Sequence, residues 1–149
     1  LLIDSDSITL SKVVDSVLDG TQFSIYDYRD SFLKGDLRRA LKTITYLKNV
    51  GVEPLVVNWV IRKELRDLAQ LLVRQAEGES FSAIFKSLRI WGDRLDLLKT
   101  ALNRGNVNSW FELLIESSGI GLTIKGACDG DPWEKLGLLT VRACSLRPD

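Results

Sequence analysis

Gly121-Leu-Thr-Ile-Lys-Gly126 comes nearer than any other stretch of this chain to a phosphate-binding loop. Its glycines have the P-loop spacing, but Ala127-Cys128 follow where a lysine and a serine or threonine are needed, so nothing reaches the β/γ-phosphates or a magnesium ion. A dinucleotide turn fails too: after Gly119 and Gly121 the third glycine position is Ile124, and no strand pattern precedes it. Two carboxylate pairs, Asp27 with Asp30 and Asp129 with Asp131, have the residue types for acid and base work. No apolar pocket is legible around either, so they read as a solvated helix edge and a loop. The chain has no histidine, which removes the usual proton shuttle, the commonest nitrogen ligand and the Ser-His and Cys-His nucleophile pairs. Cys128 and Cys144 have no metal-ligand spacing and read as reduced intracellular thiols. The sequence therefore offers no catalytic residue, no metal site and no cofactor site, and ATP binding is not expected.

The elements that hold these residues are helical. With 149 residues, 45% of them hydrophobic, the chain has enough apolar mass for one main domain. Its 20 basic and 20 acidic residues cancel, so no overall field draws it to nucleic acid or to a membrane. No uncharged run reaches membrane-spanning length. A chain that opens Leu-Leu-Ile-Asp and contains no methionine reads as a piece of a longer protein.

The central element is a helix over 54–77, with Pro54 at its first turn and Gly78 as its stop. Its first half is apolar nearly all round, which places Trp59 in the core. Its second half divides into an apolar face (Ile61, Leu65, Leu68, Leu72) and a charged one (Arg62, Arg66, Asp67, Gln70, Arg74). Before it, Thr9 starts a short helix carrying Leu10, Val13, Val14 and Val17. Ser24 and Asp27 form a capping box for a helix to Leu33, and Asp36 caps another that ends at Gly51 and pairs with the long helix as a hairpin. After it, Ser80 caps a short helix that breaks at Arg89-Ile90-Trp91-Gly92. Asp93 opens a helix with Leu95, Leu98 and Leu102 inward. Asn106 opens one with Val107, Trp110, Phe111 and Leu114 on one side, weakening at Gly119 and Gly121. The last helix starts at Asp131-Pro132 and turns Trp133, Leu136, Leu139, Ala143 and Leu146 inward. The fold class is all-α, a bundle of six to seven helices.

Basic residues gather on two outer faces, Arg38, Arg39 and Lys42, then Arg62, Lys63 and Arg66. The acidic residues among them make a soluble helical surface the simpler reading. Trp91 in a loop and Trp133 in a first helical turn stand at element ends, where a ring covers a core edge or anchors a partner.

Taken in order, Phe23-Ser-Ile-Tyr-Asp-Tyr, Gly35-Asp-Leu-Arg-Arg-Ala-Leu, Glu53-Pro-Leu, Arg62-Lys-Glu-Leu-Arg, Ile90-Trp91, Ile124-Lys-Gly126 and Asp131-Pro-Trp-Glu-Lys-Leu136 resemble the C-terminal part of the delta subunit of the bacterial DNA polymerase III clamp loader. No single motif is specific; the ordered set is. The family usually has an acidic residue four before the lysine of Ile124-Lys-Gly126, where this chain has Gly121.

The resemblance implies that residues 1–20 end a small lid domain and residues 21–149 form a helical collar domain. Collar domains of five related subunits form the ring that holds such a loader together. The expected role is a non-catalytic oligomerisation module joined to the delta-prime and tau/gamma collars, in the bacterial cytoplasm. The clamp-binding element and nucleotide-fold domain of the family lie upstream of this segment. Candidate partner-interface residues are Trp91, Arg94, Trp133 and Glu134. Lys125 and Cys128 lie in the loop that, by resemblance, faces the end of primer–template DNA, which is contacted only weakly and in the full complex. Two alternatives stand beside this reading: a free-standing α-helical adaptor, which predicts a repeat period, and a helical DNA-binding module, which predicts affinity falling steeply with salt.

Overall fold

Four short polar side chains start helices where the sequence places them. Asp36 accepts a hydrogen bond from the Arg39 amide, Ser80 from Ala83, Asn106 from Ser109 and Asp131 from Trp133. Each bond satisfies a backbone donor that the first turn leaves free, typically about 1 kcal/mol per cap. In the computed structural model, which describes residues 9–12 and 25–148, the helices are α1 (25–34), α2 (Leu37–Asn49), α3 (Pro54–Ala76), α4 (Phe81–Ser87), α5 (Gly92–Leu102), α6 (Val107–Ile124) and α7 (Pro132–Cys144). No strand occurs among the described residues, and none of their helices is long and apolar enough to cross a membrane. The all-α bundle is as the sequence indicates. The helix expected in residues 1–20 falls, apart from a helical turn at 9–12, outside the described residues, as does Ser24.

Helix α3 is the rod the others pack along. It touches α6 most extensively, and α4, α5 and α7 as well, while α7 bridges α6 and α2. The hairpin expected of α2 and α3 is therefore not the main pairing, because α2 finds its partner in α7 and α6 lies along α3. A polar lock fixes that α3–α6 seam: Asn58 Nδ2 donates to the Ser117 carbonyl at 3.1 Å, and Ser117 Oγ donates to Asn58 Oδ1 at 2.8 Å. Both side chains are buried, so each satisfies a group that would be costly to leave unpaired. With Asn58 turned inward, Trp59 is rotated to the core edge and is only half-buried, against the expectation that it lies in the core. Farther along, Leu71 rather than Leu72 is the fully buried residue.

Two further corrections concern α5 and α6. Helix α5 begins at Gly92 with Trp91 at its N-cap, so Asp93 sits inside its first turn. The residues it buries are Leu97, Leu98 and Ala101, with Leu95 and Leu102 at the margin. Helix α6 runs unbroken through Gly119 and Gly121 to Ile124. Tertiary packing against α3 overrides the propensity cost of the two glycines. It turns Trp110 fully inward but leaves Phe111 exposed, so the expected face is rotated.

One cation ties the ends of the bundle. Arg104, in the link between α5 and α6, donates from Nη2 to the carbonyls of Phe32 and Leu33 at 3.1 and 3.0 Å, and from Nη1 to that of Ala143 at 2.9 Å. These carbonyls lie at the ends of α1 and α7, where helices lack internal partners and carry partial negative charge. The guanidinium passes so close to Gly35 that a Cβ there would lie 2.9 Å from it, and Gly35 is also left-handed at φ +80. Beside it, Tyr28 and Thr140 hydroxyls meet at 2.8 Å in the core. Thr140 donates its proton to the Leu136 carbonyl, so Tyr28 is the donor in that pair.

Two predictions follow from burial. Trp110→Ala should cost about 3–5 kcal/mol, as deletion of a buried aromatic does, and Trp59→Ala clearly less. Urea midpoints for the two variants test this, and equal losses would mean that the α3 rotation described above is wrong. Burial also pushes the Cys144 thiol up to about 11 and the Tyr28 phenol well above its ordinary range. Both groups stay neutral in the fold after the unfolded chain has ionised, so stability is fully present below about pH 9 and falls as pH rises towards 11. The loss expected for Cys144 is on the order of 1–2 kcal/mol. Urea titrations at pH 8 and 10.5 should show it, and Cys144→Ala should remove the earlier part of the decline.

Candidate assembly surface

The residues singled out from sequence lie in three separate places. At the first, the α4–α5 corner, Arg89 takes φ 57 and Gly92 φ 65. That backbone reversal throws Trp91 outward, 72% exposed. Trp91 walls a cleft of ≈ 480 Å³ with Phe81, Phe85, Ile90 and Leu95, edged by Lys86 and Lys99. Neither lysine has a carboxylate partner among the described residues. Arg94, three residues on, is turned away from this surface. It donates to Glu64 from Nε and Nη2 at 2.9–3.2 Å and from Nη2 to Asp67. Burial pulls its guanidinium down, but the hydrogen bonds and charges of the two carboxylates outweigh this and hold it above the ordinary arginine value. Glu64, only 2% exposed, would be an unpaired buried charge without Arg94. Arg94 thus clamps α5 to α3 and fixes the turn that presents Trp91.

At the second place Trp133 and Glu134 border a shallow groove between α2 and α7, with Leu41, Ile44, Thr45, Lys48 and Gly137. Trp133 is half-buried against the core and Glu134 is exposed. The third place is the loop 125–131. Lys125 is the C-cap of α6, and it and Cys128 are exposed. The loop is latched from beneath: Lys135 Nζ donates to Thr123 Oγ1 at 2.7 Å and to the Asp129 carbonyl at 2.9 Å. Gly130, at φ +123, lets the lysine pass 2.8 Å from where a Cβ would stand.

The paired carboxylates do not converge. Asp27 accepts from Arg39 Nε at 2.9 Å and lies 3.4 Å from the Thr43 hydroxyl; the capping box expected with Ser24 lies outside the described residues. The pairing holds Arg39 above the ordinary arginine value. Asp30 pairs with Arg29, and Asp131 is spent on its cap. Among the described residues no group of three metal-ligating side chains forms.

Sequence reasoning missed a fourth region. Phe111, Ile115 and Leu122 on α6, with Leu138 and Val141 on α7, are large apolar side chains 38–69% exposed. They form the faces of those helices that point away from the core, with an ion pair between Arg142 and Glu116 spanning the helices. Their signal was present: the apolar residues of α6 cover more than half its circumference, a wider arc than one packing face needs.

Residues 25–147 match the family model described as "Processivity clamp loader gamma complex DNA pol III C-term". DNA polymerase III subunit delta of Escherichia coli (strain K12) is 28% identical over 144 residues, a match covering 97% of this chain and 42% of that protein. DNA polymerase III subunit delta of Haemophilus influenzae (strain ATCC 51907 / DSM 11121 / KW20 / Rd) is 24% identical over 152 residues, covering 97% and 44%. The chain spans less than half the length of these curated relatives. With a family model matching residues 25–147, from the first described residue of α1 to just beyond α7, the chain belongs to the family of the C-terminal domain of the DNA polymerase III delta subunit.

Proposed function

We propose that this chain is a non-catalytic oligomerisation module of a DNA polymerase III clamp loader, joining the delta-prime and tau/gamma collars in a five-membered ring that supports sliding-clamp loading. The observation that carries this reading is the unpartnered apolar face of α6 and α7. An exposed set of large apolar residues contiguous on two packed helices is the usual mark of a protein contact. Family membership, rather than any empty pocket, supports the non-catalytic part. Trp133 and Glu134 flank the next groove and extend the proposed interface towards α2. Arg94 serves it indirectly, as the clamp of the α4–α5 corner.

In this reading the loop 125–131 faces the primer–template end and meets it sterically. Its Lys135 latch suits a fixed projection, and Asp129 and Asp131 leave it little attraction for phosphate. The DNA-binding alternative has one specific feature in its favour, the Trp91 corner. An exposed indole flanked by Lys86 and Lys99 has the aromatic platform and cations on which single-stranded bases stack. We treat it as a secondary contact made within the complex.

Added in excess to delta-prime, tau/gamma and intact delta subunits, the chain is expected to inhibit loader assembly, and Leu138→Asp with Val141→Asp to weaken that inhibition. Size-exclusion chromatography of the assembled loader provides the measurement, and a chain that never competes would sink the assembly reading. Alone, the chain is expected to bind DNA no better than about 10⁻⁴ M at physiological salt, the weak end of non-specific binding. Quenching of tryptophan fluorescence by a single-stranded oligonucleotide tests this, with Trp91→Ala as reference. Micromolar affinity lost in Trp91→Ala would favour the DNA-binding module instead.

A further inference from the structure

The outward face of α6 has a pattern that specifies more than a generic contact. Ile115 and Leu122 stand at equal separations on either side of Ser118 and Gly119, and Glu112 and Lys125 stand at equal separations farther out. At about 100° per residue, Phe111, Ile115 and Leu122 fall within roughly 40° of one another, a straight ridge about 16 Å long. Ile115 is 69% exposed and Leu122 48%. Between them a Cβ built on Gly119 would meet nothing within 4 Å, so the ridge has an open notch at its centre. Glu112 and Lys125 are both exposed and have no ion-pair partner among the described residues, whereas Glu116 is held by Arg142.

The geometry points to an antiparallel helix of a neighbouring subunit as the occupant of this face, crossing α6 at Gly119. This rests on the assembly reading above and specifies its chemistry. The notch admits a side chain or close backbone of the crossing helix, and Ile115 and Leu122 flank that contact as knobs. The charges set direction. A helix lying here is complementary when it carries a basic residue opposite Glu112 and an acidic one opposite Lys125. Since basic residues favour helix C-termini and acidic ones N-termini, the helix runs antiparallel to α6. A second copy of α6 would satisfy Glu112, Lys125, Ile115 and Leu122, but it would set Phe111 opposite Gly126, which has no side chain to cover the ring. A distinct helix with an apolar residue at that position covers the whole ridge.

The test uses the competition assay with delta-prime, tau/gamma and intact delta subunits. Gly119→Leu fills the notch, where an added Cβ meets nothing within 4 Å, so the chain should keep its circular dichroism and its urea midpoint. It should then need roughly 30-fold more chain for half-inhibition, the effect of a central interface residue. Thr100→Leu, which adds the same side chain to the exposed face of α5, should compete like the parent. Glu112→Lys and Lys125→Glu should each weaken competition. If the parent competes and Gly119→Leu competes equally well, the proposed crossing is wrong while the assembly reading stands. If the parent fails to compete, both fall. Sedimentation of the parent as a dimer that Gly119→Leu dissociates would make a second copy the occupant and overturn the assignment to a neighbour.

Discussion

A single guanidinium, that of Arg104, closes this bundle, and it does so without a carboxylate. Its three hydrogen bonds go to backbone carbonyls at the ends of α1 and α7, two helices far apart in sequence. Burial pulls its pKa down, but an arginine remains charged at any physiological pH. The carbonyl ends of two helices therefore supply the counter-charge. Its charged group also lies 5.8 Å from the centre of the Trp110 ring. Neither lysine, which lacks the planar fork, nor any neutral side chain could reach all three acceptors from this link. Gly35 follows from the same constraint, since it is both the left-handed stop of α1 and the gap through which the arginine passes.

With the ends of α1 and α7 tied, the remaining contacts divide the helices into inner and outer surfaces. The Asn58–Ser117 lock sets the rotation of α6 on α3. That rotation sends Trp110 into the core and leaves Phe111, Ile115 and Leu122 outside. The Arg94 clamp on Glu64 and Asp67 performs the same task for α5, and it presents Trp91 by holding the turn beneath it. In both cases a buried polar pairing decides which apolar residues remain available for partners. Hydrophobic burial alone is non-directional and would accept several rotations of a helix as apolar as α6.

The two kinds of exposed surface differ in consequence. On α6 and α7 the large apolar side chains are bordered by the Arg142–Glu116 pair and by Glu112 and Lys125, an apolar centre with a charged rim. The Trp91 corner is one ring with two unpaired lysines, a smaller and more polar feature suited to a transient contact. Beyond Lys125, the loop 126–131 belongs with neither, because Lys135 holds it from within.

Much of the fold was legible in the residues. Caps at Asp36, Ser80, Asn106 and Asp131, the Pro54 start and the Gly78 stop act within one helical turn, and short-range hydrogen bonding determines them wherever the helix later packs. The ordered motifs likewise sufficed for the family. The tertiary structure decided the facing of each helix. Asn58 is buried because its partner is Ser117, Arg94 turns inward because Glu64 and Asp67 lie on α3, and Phe111 is exposed because α6 rotates to meet α3. Periodicity narrows a helix to an apolar arc, and in the first half of α3 and in α6 that arc is wide. Only pairings across dozens of residues select the buried side, and with it the surface left for a partner.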